Sequence, residues 1–149
     1  MLKLVGVGNR WRGDDGAGLE VASILARRAP AGVSVLEHEH EPVDLIEAFD
    51  GASTVWLIDA VRSGAAPGTL HRFDASERPL PAELFSVSTH HLGLADAVEL
   101  ARALKRLPGR VIVHGIEGGS FAAGGELTPA VAAATRTLAD ALEAEVAAC

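Results

Sequence analysis

The sequence predicts an α/β fold, a three-layer α/β/α sandwich around a twisted, mostly parallel sheet. Three observations predict it. Short apolar runs rich in β-branched residues alternate with longer segments whose apolar residues recur every three or four positions. The connections are short and carry Gly and Pro, so consecutive strands are joined through helices by right-handed crossovers. Aromatic residues make up only 4% of the 149, which leaves the core to Val, Leu, Ile and Ala and suits strands covered on both faces by alanine-rich helices.

Residues 2–7, LKLVGV, form the first strand, buried on both faces and ending in glycine. The stretch 4–18, LVGVGNRWRGDDGAG, then turns the chain from strand to helix and sets Asp14 and Asp15 between glycines. Ala17, Val21, Ile24 and Leu25 fall at helical spacing, with Arg27 and Arg28 near the end, where cations complement the helix dipole. Pro30 to Gly32 stops this helix. Residues 33–41 read as a second strand whose tail alternates: His38 and His40 share one face, and Glu37, Glu39 and Glu41 the other. Such a tail fits either a solvated strand end or a pair of metal-binding imidazoles. Residues 42–49 supply a short helix with Val43, Ile46 and Ala48 or Phe49 pointing inward.

Residues 53–60, STVWLIDA, are a third strand, apolar until Asp59, which projects at the carboxyl edge of the sheet. A short extra strand follows at 68–73, and the Pro79 and Pro81 region is loop. Ser88 or Thr89 is the predicted N-cap of a helix over 92–107, with His90 and His91 in its first turn and Leu94, Val98, Ala101 and Leu104 on one face. Pro108 and Gly109 end it. Residues 110–116, RVIVHGI, form the fourth long strand, followed by the glycine-rich loop 117–125. Thr128 caps the last helix, Pro129 takes its first position, and alanine-rich sequence completes it.

With 48% hydrophobic residues, 149 residues supply one core, so the chain reads as a single domain, 1–149. The net charge of −7 argues against nucleic acid, whose phosphates are held by clustered Lys and Arg. No apolar run approaches the roughly 20 residues that span a bilayer, and no signal-peptide pattern opens the chain. The lone cysteine, Cys149, permits neither an internal disulfide nor a cysteine-built zinc site and points to a reducing cytoplasm.

The glycines after the first strand suggest a dinucleotide fingerprint, but its third glycine falls on Trp11, whose indole obstructs the close approach of phosphate. Two carboxylates at a helix N-terminus also repel a pyrophosphate. No G-x-S-x-G elbow is present, so covalent catalysis by serine has no support. What remains is a set of carboxylates and an imidazole at strand-to-helix edges: Asp15, Asp59 and His90. Oxygen and nitrogen ligands of this kind suit a divalent metal such as nickel or zinc, held with open positions. Taken singly, each has a structural alternative. Asp14 reads as a helix N-cap, Asp15 as a first-turn acid, Asp59 as a partner for an arginine such as Arg62, and His90 as a solvated residue.

Several blocks together resemble the hydrogenase maturation endopeptidases. They are Gly6-Val7-Gly8-Asn9 with Asp14-Asp15-Gly16-Ala17-Gly18, Ile58-Asp59-Ala60, Ser88-Thr89-His90-His91-Leu92-Gly93-Leu94-Ala95-Asp96, Gly115-Ile116-Glu117-Gly118 and Leu127-Thr128-Pro129-Ala130-Val131. They occur in family order and cover nearly the whole chain. The resemblance implies an endopeptidase that removes the C-terminal extension of a nickel-loaded hydrogenase large-subunit precursor. It also implies metal contacts at Asp15, Asp59 and His90, with His91 the less suited neighbour. The nickel would arrive with the precursor, ligated by its cysteines, rather than be held by the free enzyme. The same ligands would serve a non-enzymatic nickel-binding chaperone or a metal-dependent peptidase with another protein substrate. Position 15 carries aspartate where well-known members carry glutamate, and Glu37-His38-Glu39-His40 replaces a segment that is often an acid followed by small residues.

Overall fold

The computed structural model describes residues 1–39, 44–85 and 93–148. Five strands make one sheet in the order β2-β1-β3-β5-β4. They are β1 (Leu2–Val7), β2 (Val33–His38), β3 (Thr54–Val61), β4 (Leu70–Asp74) and β5 (Arg110–Glu117). β1 pairs in parallel with β2 and β3, and β3 with β5, while β4 runs antiparallel along β5. The predicted sheet is therefore present. The short extra strand expected at 68–73 is its antiparallel edge strand, alternately exposed and half-buried as an edge demands.

Helices α1 (Ala17–Arg28) and α4 (Pro129–Ala148) cover one face, and α2 (Leu45–Phe49) and α3 (Leu94–Ala103) the other. Alternation along the strands sorts the core. Leu4, Trp56, Ile58, Ile112 and Ile116 pack under α1 and α4, whereas Val5, Val7, Leu57, Val61 and Val113 pack under α2 and α3. α1 closes with Ala29 in the left-handed region at φ 46°, and Arg28 reaches Asp140 and Glu143 of α4 at 2.8 and 3.1 Å. None of the described helices is long and apolar enough to cross a membrane.

Two expectations shift. The helix predicted over 92–107 is described from Leu94, with Gly93 at its cap and the Gly93 N–H donating to Asp96 Oδ2 at 3.1 Å. It ends at Ala103, because Lys105 takes a positive φ of 58°. Leu104, expected on the buried face, is consequently 53% exposed. In α2, Ile46 and Phe49 face inward as expected and Leu45 joins them; Val43 lies outside the described residues.

Close approach of α1 to the sheet rests on Gly18. A Cβ there would stand 2.2 Å from the Ile58 carbonyl oxygen and 2.6 Å from that of Val7. Gly18→Ala is therefore expected to push α1 off the sheet and cost about 1–3 kcal/mol, read as a lowered urea midpoint at unchanged m-value.

Candidate functional site

β1 and β3 are neighbours whose connections leave in opposite directions, α1 leading from β1 to β2 at one side of the sheet and β3 continuing toward β5 at the other. A crevice opens at the carboxyl ends of strands at such a reversal. Asp15 follows β1 in a single 3-10 turn, Gly13–Gly16, and Asp59 lies near the end of β3. Gly8 makes the tight turn possible. Its φ is 150°, and the chain folds back so closely, with the Asn9 N–H donating to the Asp15 carbonyl oxygen at 3.1 Å, that a Cβ on Gly8 would meet that oxygen at 2.0 Å.

Both carboxylates are 6% exposed. Asp59 shares the strand face of Leu57 and Val61, so it faces the α2 and α3 side, and among the described residues its Oδ1 accepts the neighbouring Ala60 N–H, at 2.8 Å. Burial, reinforced by the charge of Asp15, pushes Asp59 well above the usual carboxylate range, against the pull of the Ala60 hydrogen bond. Burial likewise pushes Asp15 up to about 7, opposed by the Arg12 charge, the Asn9 backbone hydrogen bond and the Arg62 charge. Two desolvated carboxylates that repel each other are relieved by binding a proton, which is why both are pushed up. The expected ion pair between Asp59 and Arg62 is not made.

Asp14 is not a helix cap. It is fully buried and accepts hydrogen bonds from Gly119 N at 2.7 Å, Ser120 N at 3.0 Å, Thr128 N at 2.7 Å and Thr128 Oγ1 at 2.9 Å. The Asp14 N–H in turn donates to the Ser120 carbonyl at 2.8 Å. One carboxylate thus ties the glycine-rich loop and the start of α4 to the turn that carries Asp15. Thr128 does precede α4 and Pro129 opens it, but the threonine hydroxyl is spent on Asp14. Gly124 N adds a bond to the Trp11 carbonyl, which leaves the Trp11 indole 75% exposed at the rim.

The histidines separate. His90 and His91 lie outside the described residues, as do Ser88, Thr89 and His40. Among the described residues no group of three His, Cys, Asp or Glu is placed to hold a metal ion; Asp15 and Asp59 come as a pair. In the Glu37-His38-Glu39 tail, Glu37 and Glu39 pair with Arg10, the expected solvated face, while His38 stands opposite Val7. His114 is a core residue on the α1 and α4 side, edge-on to Trp56 with centroids 6.3 Å apart, and burial pushes it down to about 4. His71 Nε2 meets Glu117 Oε1 at 3.0 Å, and Ser63 donates to the same carboxylate from its N–H and its hydroxyl. Burial opposes the Glu117 charge, but the Ser63 hydrogen bonds outweigh it and hold its carboxyl below the ordinary value.

Sequence reasoning named Arg62 as a partner for Asp59 but missed that it and Arg12 act on Asp15. Arg12 and Arg62 both act on that carboxylate, and Arg12 Nε is buried with no hydrogen-bond partner among the described residues. No periodicity marks them, because they sit on loops brought together by the fold.

Comparison with known proteins agrees with this architecture. A family model described as hydrogenase maturation protease, HycI, matches residues 19–145. Hydrogenase expression/formation protein HupM of Azotobacter chroococcum mcd 1 is 28% identical, over 93% of this chain and 72% of its own length. For HoxM of Azotobacter vinelandii, also 28% identical, the matched region spans 57% of the relative. Among solved structures, the hydrogenase maturating endopeptidase HybD from E. coli is 25% identical with a TM-score of 0.78, covering 95% of this chain and 88% of that one. The endopeptidase HycI from Escherichia coli is 30% identical with a TM-score of 0.77, covering 97% and 90%. With the family model matching most of its length, the chain belongs to the hydrogenase maturation protease family and is a peptidase of that family.

Proposed function

We propose that this peptidase removes the C-terminal extension of a nickel-loaded hydrogenase large-subunit precursor. The observation that carries the reading is the pairing of Asp15 and Asp59, two buried, mutually repelling carboxylates at one sheet-edge crevice. Charge of that kind is stabilised by a cation delivered into the crevice. In this reading the nickel is part of the substrate: it arrives ligated by cysteines of the precursor, and Asp15, Asp59 and His90 complete its coordination. That contact registers the scissile bond in the cleft. Aspartate at position 15 would reach a methylene less far toward the nickel than a glutamate there.

No serine or cysteine side chain hydrogen-bonds to Asp15 or Asp59 among the described residues, and in this reading water attacks the scissile bond. The loop 117–125, fixed by Asp14, forms a wall of the cleft along which the extension lies. We place the reaction in the cytoplasm, where the precursor is assembled and where a chain whose one cysteine is Cys149 stays reduced.

The test incubates the purified protein with nickel-loaded precursor and with nickel-free precursor and follows precursor mass. Loss of the extension only from the loaded form is the expected result. Cleavage of both forms alike defeats recognition through nickel, and tight binding of the loaded form with no mass loss assigns the chain to a chaperone role instead.

A further inference from the structure

We propose that Arg62 binds a carboxylate of the precursor's C-terminal extension; the assignment rests on the processing reading above. Arg62 follows the last residue of β3, Val61, and its main chain is fixed on both sides. Its own N–H donates to the Leu84 carbonyl at 2.9 Å, and the next residue, Ser63, donates its N–H to Glu117 Oε2 at 2.8 Å. Glu117 is itself buried and braced by His71. The Arg62 guanidinium lies over the Phe121 ring, 4.5 Å from its centroid. Phe121 is seated against Gly118, where a Cβ would stand 2.4 Å from the ring, and Gly118 N donates to the Val61 carbonyl at 3.0 Å. The arginine and its platform therefore belong to one rigid corner of the site.

Among the described residues Arg62 shares its lack of an ion pair with Arg12, Arg72, Arg78, Arg110 and Arg136, but it is the one of these arginines that lies over an aromatic ring. Arg10, Arg28, Arg102 and Arg106 each hold a carboxylate of the chain. Arg62 is exposed and has no acidic partner within ion-pair distance among the described residues, in a chain with 20 acidic residues against 13 basic ones. It stands three residues past Asp59, at the carboxyl end of β3 where the crevice opens, and its charge also acts on Asp15. A guanidinium stacked on one face keeps its in-plane donors free for a planar carboxylate, and a side chain already held in place loses little entropy on binding one. Arg12, with Nε unpartnered, adds a second positive charge on the same carboxylate neighbourhood. A C-terminal extension always offers one carboxylate, its own terminus, and its acidic side chains offer others.

The experiment measures equilibrium binding and steady-state cleavage of nickel-loaded precursor by the wild-type protein, Arg62→Ala and Arg62→Lys at pH 8. Three precursors are used: unmodified, with the extension's acidic side chains changed to amides, and with its C-terminus amidated. Arg62→Ala is expected to raise Kd and KM roughly tenfold on the unmodified precursor, with the effect falling on KM rather than kcat and Arg62→Lys between. On whichever precursor lacks the recognised carboxylate, the wild type itself loses about tenfold and Arg62→Ala adds no further loss. That arm identifies the source of the carboxylate. Unchanged Kd for Arg62→Ala, or an equal loss on all three precursors, overturns the proposal. Wild-type protein that binds without cutting defeats the processing reading, while the same Kd comparison still decides Arg62.

Discussion

Asp59→Asn abolishes precursor processing and at the same time makes the free protein more stable at neutral pH. The two effects have one cause. Asp59 is buried, its carboxylate accepts the Ala60 N–H at 2.8 Å, and Asp15 repels it. A carboxyl whose folded pKa is raised costs stability in a definite window. Below about pH 4 both folded and unfolded chains are protonated and there is no cost. As pH rises, the unfolded chain releases the proton first, so the cost grows until the folded group also ionises. For Asp15 that window runs from the ordinary value of 3.8 to about 7. Asp59 extends it upward in the same direction. Asparagine keeps the shape and the acceptor for Ala60 N–H but removes the charge. Asp59→Asn is therefore expected to stabilise the free protein at pH 8 by about 2 kcal/mol, or roughly 5 °C in Tm for a domain of this size. The gain shrinks as pH falls toward 4. Thermal melts at pH 4, 6 and 8 check it, and a mutant less stable than wild type at pH 8 would show that Asp59 is held by an unrecognised favourable contact. The contribution of the pair itself falls between pH 4 and 7, while His114, pushed down to about 4, contributes in the opposite sense over the same range, so the comparison of mutant with wild type isolates the pair.

Asp59 was legible because the apolar run 54–58 stops at it, and strand alternation assigns its face without further information. Asp15 was legible for a similar reason, since glycines on both sides of an acid after a strand mark a turn with an exposed function. The mostly parallel sheet was implied by the alternation of strands and helices, while the strand order and the antiparallel direction of β4 had to be seen. Other features are tertiary. The bonds that define Asp14 come from residues 105 to 114 positions away, and no local pattern records them, so a helix cap was the natural reading. Leu104 fits the apolar stripe of α3, but the left-handed turn at Lys105 ends the helix before the stripe does. Arg62 and Phe121 are distant in sequence and meet because Gly118 bonds to Val61. His90 was assigned through the resemblance of the Ser88-Thr89-His90 block to a family motif, and it lies outside the described residues.

The neighbouring aspartates of the 3-10 turn are expected to respond to neutralisation with opposite signs. Asp15→Asn relieves a desolvated charge, so it stabilises the free protein near pH 8 while removing a proposed contact to nickel. Asp14→Ala removes the acceptor of four hydrogen bonds and leaves Gly119 N, Ser120 N and Thr128 N without their partner. Donors stranded next to a fully buried position cost more than the bonds gained on folding, and bonds to a charged acceptor are the stronger kind. The expected loss is about 3 kcal/mol, lowering Tm by roughly 10 °C. Asp14→Asn keeps two-fold shape but presents an amide to donors that all need an acceptor, so it recovers only part of the loss. Function follows mechanically. With the Asp14 carboxylate gone, the loop 117–125 and the start of α4 lose their side-chain tie to the turn carrying Asp15, and the backbone bond from residue 14 N–H to the Ser120 carbonyl, Gly124 N to the Trp11 carbonyl and the Arg12–Gly125 bridge remain. Amide hydrogen exchange is expected to accelerate in 118–125 and at Thr128 before it does in β3 or β5. Precursor turnover at a temperature where the variant is still folded falls with that loosening. A variant that keeps wild-type exchange in the loop would show that the loop is held by its own turn geometry, with Asp14 contributing only to global stability.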